Sequence, residues 1–187
     1  MRIGLDARTI YAPERRGIGK SLLRLYRELS VVRPDWQVVA YHRSAAADAE
    51  LLPADFAQPR LIEIPGDRFD AWQRLRLPTA AWRDGCDLLH CPANTCPGWT
   101  PLPTVVTVHD LIPLDLPEAF PDEHVRRFQR GLAAACRRAE AIFCPSEYTR
   151  GRLVEGLLVE PERVHATPWG AEPFPHVPEE QVVETMH

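Results

Sequence analysis

The chain alternates short apolar runs with longer stretches whose apolar positions recur at helical spacing. "RIGLDA" is an apolar run ending at Asp6 and predicts a first buried strand. From Ile18, apolar residues recur at Leu22, Leu25, Leu29 and Val32, while Arg24, Arg27 and Glu28 take other faces. That spacing predicts an amphipathic helix, which Pro34 ends. "WQVVAYH" (Trp36 to His42) and "RLIEIP" (Arg60 to Pro65) predict strands two and three. A helical stretch follows between Arg68 and Arg83, carrying Phe69, Trp72, Leu75 and Leu77 and interrupted at Pro78. "DLLHC" (Asp87 to Cys91) and "TVVTVHD" (Thr104 to Asp110) predict strands four and five, the latter β-branched and apolar. A helix is expected from about Asp122 to Arg138, with Val125, Phe128, Leu132, Ala135 and Ala139 on one side. "AIFCPS" predicts strand six, Ser146 is placed to cap the helix opening "EYTRGRLVEG", and "RVHATPWG" predicts a seventh strand ending at Gly170.

Strands that alternate with helices and are apolar on both faces predict a Rossmann-like α/β domain over residues 1–170. Its parallel sheet would have about seven strands and helices on both faces. Residues 171–187, with Pro173, Pro175 and Pro178, read as an interdomain linker or tail. In such sheets ligands sit beyond the carboxyl ends of the strands. Gly17, Gly19, Asn94 and Ser146 follow strand ends, His109 and Asp110 end strand five, and all are expected along one rim.

Composition narrows the classes. A content of 45% hydrophobic and 26% charged residues over 187 positions is that of an ordinary globular chain. A net charge of −4 gives no general argument for nucleic acid, and no partner of that kind is expected. The sequence has no apolar run of membrane-span length and no apolar signal core, so a cytoplasmic location is expected. Five cysteines without a secretory pattern read as reduced thiols. Cys86, Cys91 and Cys96 are regularly spaced around His90 but form no C-x-x-C pair, and they read as core and loop thiols rather than a metal site. His42, His124, His165 and His176 show no metal spacing, and no metal is expected. Arg126, Arg127, Arg130, Arg137 and Arg138 make the fifth-to-sixth-strand helix basic, either as a solvated face or as a seat for anionic lipid headgroups at the inner face of a membrane.

The candidate chemistry centres on "RRGIGKS", Arg15 to Ser21. A Walker loop would need glycine at position 14, where Glu14 stands, and the dinucleotide fingerprint would need glycine where Leu22 stands. Neither template fits. What survives is a helix N-terminus with Gly17, Gly19 and Lys20, either a phosphate cradle or a plain turn. Arg15 and Arg16 could bind an anion there or remain solvated. His109 and Asp110 form the second candidate. The imidazole could bond a sugar hydroxyl or phosphate oxygen or take a proton, and the carboxylate could accept a hydroxyl or cap a turn.

In this order, "RRGIGKSLLRLYREL", "DLLHCPANT", "PTVVTVHDLIPLDLPEAF", "AIFCPSEYTRGRLVE" and "VHATPWGAE" resemble the N-terminal half of the family-4 (group 1) retaining glycosyltransferases of the GT-B fold. The resemblance covers Met1 to about Glu172. It implies an acceptor-side domain facing a C-terminal donor domain that these residues do not supply. The whole enzyme would transfer a sugar from a nucleotide-sugar donor, with retention and no metal cofactor, to a saccharide or lipid-linked acceptor. The resemblance puts Gly17, Gly19 and, less firmly fixed in type, Lys20 at the donor diphosphate. It puts His109 at the donor sugar, and leaves Arg15, Arg16, Asn94 and Asp110 on the acceptor side. By the same token these residues alone would be inactive. A noncatalytic nucleotide- or anion-binding module built on the Gly17–Gly19 turn is the competing expectation.

Overall fold

The computed structural model describes residues 1–43, 51–62 and 71–170. Among them, seven strands form one sheet, parallel throughout: β1 (Arg2–Asp6), β2 (Gln37–His42), β3 (Ala57–Leu61), β4 (Leu88–Cys91), β5 (Thr104–Thr107), β6 (Ala141–Cys144) and β7 (Val164–Ala166). Their order is β3-β2-β1-β4-β5-β6-β7, so the direction of winding reverses between β1 and β4.

The period-2 rule for side chains divides the core in two. Val38 and Ala40 of β2 join Ile3 and Leu5 beneath helix α1 (Gly17–Val32), which adds Leu22, Leu23 and Tyr26. Val39 and Tyr41 point to the other face, into the cluster that also holds Leu77 and Ala81 of helix α2 (Leu77–Arg83) and Leu132 and Ala135 of helix α4 (Asp122–Arg138). A short helix α3 (Ile112–Asp115) follows β5, and α5 (Glu147–Gly151) follows β6. Ser146 caps α5, its hydroxyl accepting from Thr149 N at 3.2 Å. The expected sheet with helices on both faces is present, and among the described residues no helix is long and apolar enough to cross a membrane.

β5 stops at Thr107 and β7 at Ala166, short of the expected Asp110 and Gly170, and three further local expectations need correction. β3 begins at Ala57 rather than Arg60, and residues 63–65 of the expected strand lie outside the described residues. Pro59 sits inside this strand because β3 is a sheet edge, where a missing N–H leaves no neighbour unpaired. On α1 the inward stripe is Gly19, Leu22, Leu23 and Tyr26, leaving Leu25 48% and Val32 71% exposed. Tyr26 takes the inward place because its hydroxyl reaches His90 Nδ1 at 2.8 Å. Third, Pro78 does not break the 71–83 helix. A π-helical turn, Trp72–Arg76, runs directly into α2, and Pro78 occupies the first turn of α2. The expected Phe69 lies outside the described residues.

Candidate functional site

β1 delivers the chain to the rim at Asp6, whose carboxylate accepts from Arg8 Nε at 2.8 Å and Nη2 at 2.5 Å. The Arg8 guanidinium lies 4.4 Å from the centre of the Trp72 ring, so the start of the loop is fixed by an ion pair with an aromatic floor. The loop then runs to α1, whose N-cap is Arg16. No side chain caps this end, and its first turn holds no acidic residue. The first N–H groups of the helix are the ones an intrahelical ladder leaves without acceptors.

The two glycines of this turn differ. A Cβ on Gly19 would overlap the Thr9 carbonyl oxygen and stand 2.8 Å from Arg15 Cγ, whereas one on Gly17 would meet nothing within 4 Å. Gly19 is therefore the point at which α1 packs against its own loop. Gly17 is the open backbone of the rim.

His109 stands two residues beyond the end of β5 and is held by the loop after β4. Its N–H donates to Asn94 Oδ1 at 2.8 Å, and its Nε2 meets the Pro92 carbonyl oxygen at 2.5 Å. A carbonyl only accepts, so Nε2 carries the proton and Nδ1 of the neutral ring presents a lone pair. That Nδ1 is buried and has no hydrogen-bond partner among the described residues. Burial lowers the His109 pKa from its ordinary value, against the raising effects of the Pro92 carbonyl and Asp110, which keeps the ring neutral at physiological pH.

These parts meet at one cleft of about 550 Å³. Its walls include Thr9, Gly17, Gly19, His109, Asp110 and Trp169, with Glu14 and Arg16 at the rim. Trp169, three residues past the end of β7, sets its ring edge-on to His109 with centroids 4.9 Å apart. Thr9 Oγ1 is a second buried polar atom without a hydrogen-bond partner among the described residues.

The structure thus brings Gly17, Gly19, Arg16, His109 and Asp110 to one cleft. Asp110 also accepts Ile112 N at 3.2 Å, capping α3. Arg15, Lys20 and Asn94 are absent from the walls. Arg15 turns inward to bond the Ile10 carbonyl at 2.7 Å, Lys20 is exposed, and Asn94 spends its amide oxygen on His109. Sequence reasoning missed Thr9, Pro145 and Trp169. Pro145 and Trp169 follow strands six and seven, so the rim rule applied to every strand end would have found them.

Below the rim, His90 is buried between Tyr26 Oη at 2.8 Å and Thr107 Oγ1 at 2.9 Å, as a structural residue. Burial first, and His109 second, push its pKa down to about 4. Cys86, Cys91, Cys136 and Cys144 are buried thiols and Cys96 is half-buried. Among the described residues no three His, Cys, Asp or Glu side chains cluster to hold a metal.

A family profile described as Glycosyltransferase Family 4 matches residues 15–173. No curated protein matches the chain in sequence. Among solved structures, the chain is similar to HepE of Anabaena in complex with UDP and glucose, at 14% identity and a TM-score of 0.56 over 91% of the chain and 45% of HepE. It is similar to MnaA of S. aureus with UDP at 13% identity and a TM-score of 0.57, covering 89% of the chain and 44% of MnaA. It also matches a sucrose-phosphate synthase chain from Thermosynechococcus elongatus at 15% identity and a TM-score of 0.52, covering all of the chain and 95% of that one. At these identities the likeness is one of fold. The chain spans less than half the length of the first two structures.

Proposed function

The chain belongs to Glycosyltransferase Family 4 and has the Rossmann-like fold of one half of a GT-B enzyme, and from that premise we propose that it forms the acceptor-side wall of a cleft in which a hexosyl group leaves a nucleotide-sugar donor with retention. The observation that carries this reading is the shared cleft of the Gly17 turn and the His109 imidazole. The uncapped α1 N-terminus offers N–H donors and partial positive charge to a diphosphate, and Gly17 leaves its backbone open to approach. His109 Nδ1, held as an acceptor, takes a hydrogen bond from a donor-sugar hydroxyl.

In the transfer, the bond from the anomeric carbon to the leaving phosphate breaks on the face where the acceptor oxygen bonds. The acceptor proton passes to the leaving phosphate. Arg16 and Asp110 contribute to the acceptor side. Lys20, exposed one residue beyond Gly19, adds positive potential near the phosphates. Arg15 and Asn94 serve by holding the loops that carry Gly19 and His109. The donor half is a second Rossmann-like domain outside residues 1–170, a reading that the fractions of HepE and MnaA covered support. A saccharide or lipid-linked acceptor fits the family, and for the latter the basic α4 face would rest on the inner leaflet of a membrane.

The test is His109→Ala in the enzyme carrying both halves. Turnover should fall on the order of 10²-fold with an unchanged circular dichroism spectrum. Undiminished turnover would remove His109 from the reaction.

A further inference from the structure

The backbone leaves the sheet before it reaches His109. Val108 N still bonds Phe143 O at 2.8 Å, but His109 N turns to a side chain instead. What orients this imidazole is the start of the loop after β4, and each of its first four residues is tied. Pro92 O takes the His109 Nε2 proton. Ala93 O is 3.4 Å from the Thr95 hydroxyl. Asn94, with φ at 60°, sits in the left-handed region and accepts His109 N on its amide oxygen, while its own N–H bonds Thr107 O at 3.0 Å. A left-handed non-glycine residue costs free energy, so neighbouring contacts must hold it.

Thr95 supplies them. Its methyl faces α4 so closely that a Cβ on Gly131 would come to 3.1 Å. From the opposite side Gln73 Nε2 donates to Thr95 O at 3.2 Å and to Thr95 Oγ1 at 3.1 Å, and Gln73 Oε1 lies 3.3 Å from the same hydroxyl. Gln73 is 7% exposed and sits on the π-helical turn, which Trp72 anchors by donating its indole N–H to Ile62 O at 3.1 Å. π-Turns of this kind are rare and often mark functional sites, and this one brings Trp72 and Gln73 inward together. We infer that Gln73 is a positioning residue for His109, fixing the ring's tautomer through the Pro92–Thr95 loop without touching the cleft. The Gln73 amide offers donors to the Thr95 carbonyl and hydroxyl oxygens and an acceptor to that hydroxyl.

This inference rests on His109 being the imidazole of the reacting cleft, but its test needs no substrate and so fails separately from that reading. The imidazole nitrogen resonances of His109 and His90 would be recorded in the 187-residue chain at mildly alkaline pH. In the wild type His109 shows one protonated and one bare nitrogen. In Gln73→Met, which keeps the volume and removes the amide, the two His109 resonances should converge as the tautomers mix, while those of His90 stay put. Thr95→Val, which retains the branched shape against Gly131, should shift them the same way by less. An unchanged His109 in both variants overturns the assignment. Equal movement of His90 also overturns it, because Gln73 would then be a general packing residue.

Discussion

At the scale of single residues, the structure separates two glycines that a motif treats as a pair. Gly19 has no room for a methyl group, because the obstructing atom is a backbone carbonyl on the same loop and cannot rotate away. Gly17 has open space. Gly19→Ala should therefore cost about 2 kcal/mol or more in urea unfolding, as overpacking does. Gly17→Ala should stay within about 1 kcal/mol of the wild type, the scale of the helix-propensity difference. Equal effects at the two sites would show that the turn relaxes around a side chain at Gly19. A consequence follows for reading phosphate sites. Loss of ligand binding on mutating Gly19 reports a displaced helix, whereas Gly17→Ala probes the backbone that faces the cleft.

At the scale of elements, Tyr26, His90 and Thr107 join α1, β4 and β5 through one buried imidazole. Burial lowers the folded-state pKa of His90 to about 4, below the value near 6.5 of an unfolded chain. The unfolded state then binds a proton that the folded state refuses. Stability is complete above pH 6.5 and falls as pH drops from there toward 4, by about 2 to 3 kcal/mol at pH 4.5. Urea unfolding across that range measures it, and His90→Asn should flatten the slope. A flat wild-type profile would place this ring in a more hydrated site. Legibility follows the same division. β5 and α4 were readable from the sequence because a β-branched run decides the one and a long amphipathic stripe the other, each locally. β3 was displaced because Pro59 argues against a strand until its edge position is known. The α1 stripe was rotated because apolar spacing alone cannot see that a tyrosine hydroxyl has a partner in β4. The cleft was legible as a rim, through the rule for strand ends, which set the Gly17 turn of the glycine motif and His109 on the same side. The role of Asn94 was not legible. Its partner is a backbone N–H fifteen residues further on, and no local pattern encodes that pairing.

For the whole molecule, the question is how much binding one wall can support. Small-molecule sites that bind well bury about 70–90% of their ligand. Here Glu14, Arg16, Gly17 and Trp169 line the cleft yet remain exposed. The charges at its rim also oppose each other: Arg16 lies 3.4 Å from Glu14, with both side chains more than 80% exposed, so their fields nearly cancel for an approaching anion. What remains to hold a diphosphate is one helix terminus, worth about 0.3–1 kcal/mol at an exposed site, and the solvent-screened charge of Lys20 beyond it. A nucleoside diphosphate titrated into the 187-residue chain should accordingly bind with Kd on the order of 1 mM or weaker. Joined to a donor half, the same cleft should bind at least tenfold more tightly, and transfer should appear only then. Submicromolar binding by the chain alone, lost in Gly17→Asp, would instead make it a self-sufficient nucleotide-binding module, because one wall would then be doing what the two-domain reading assigns to both.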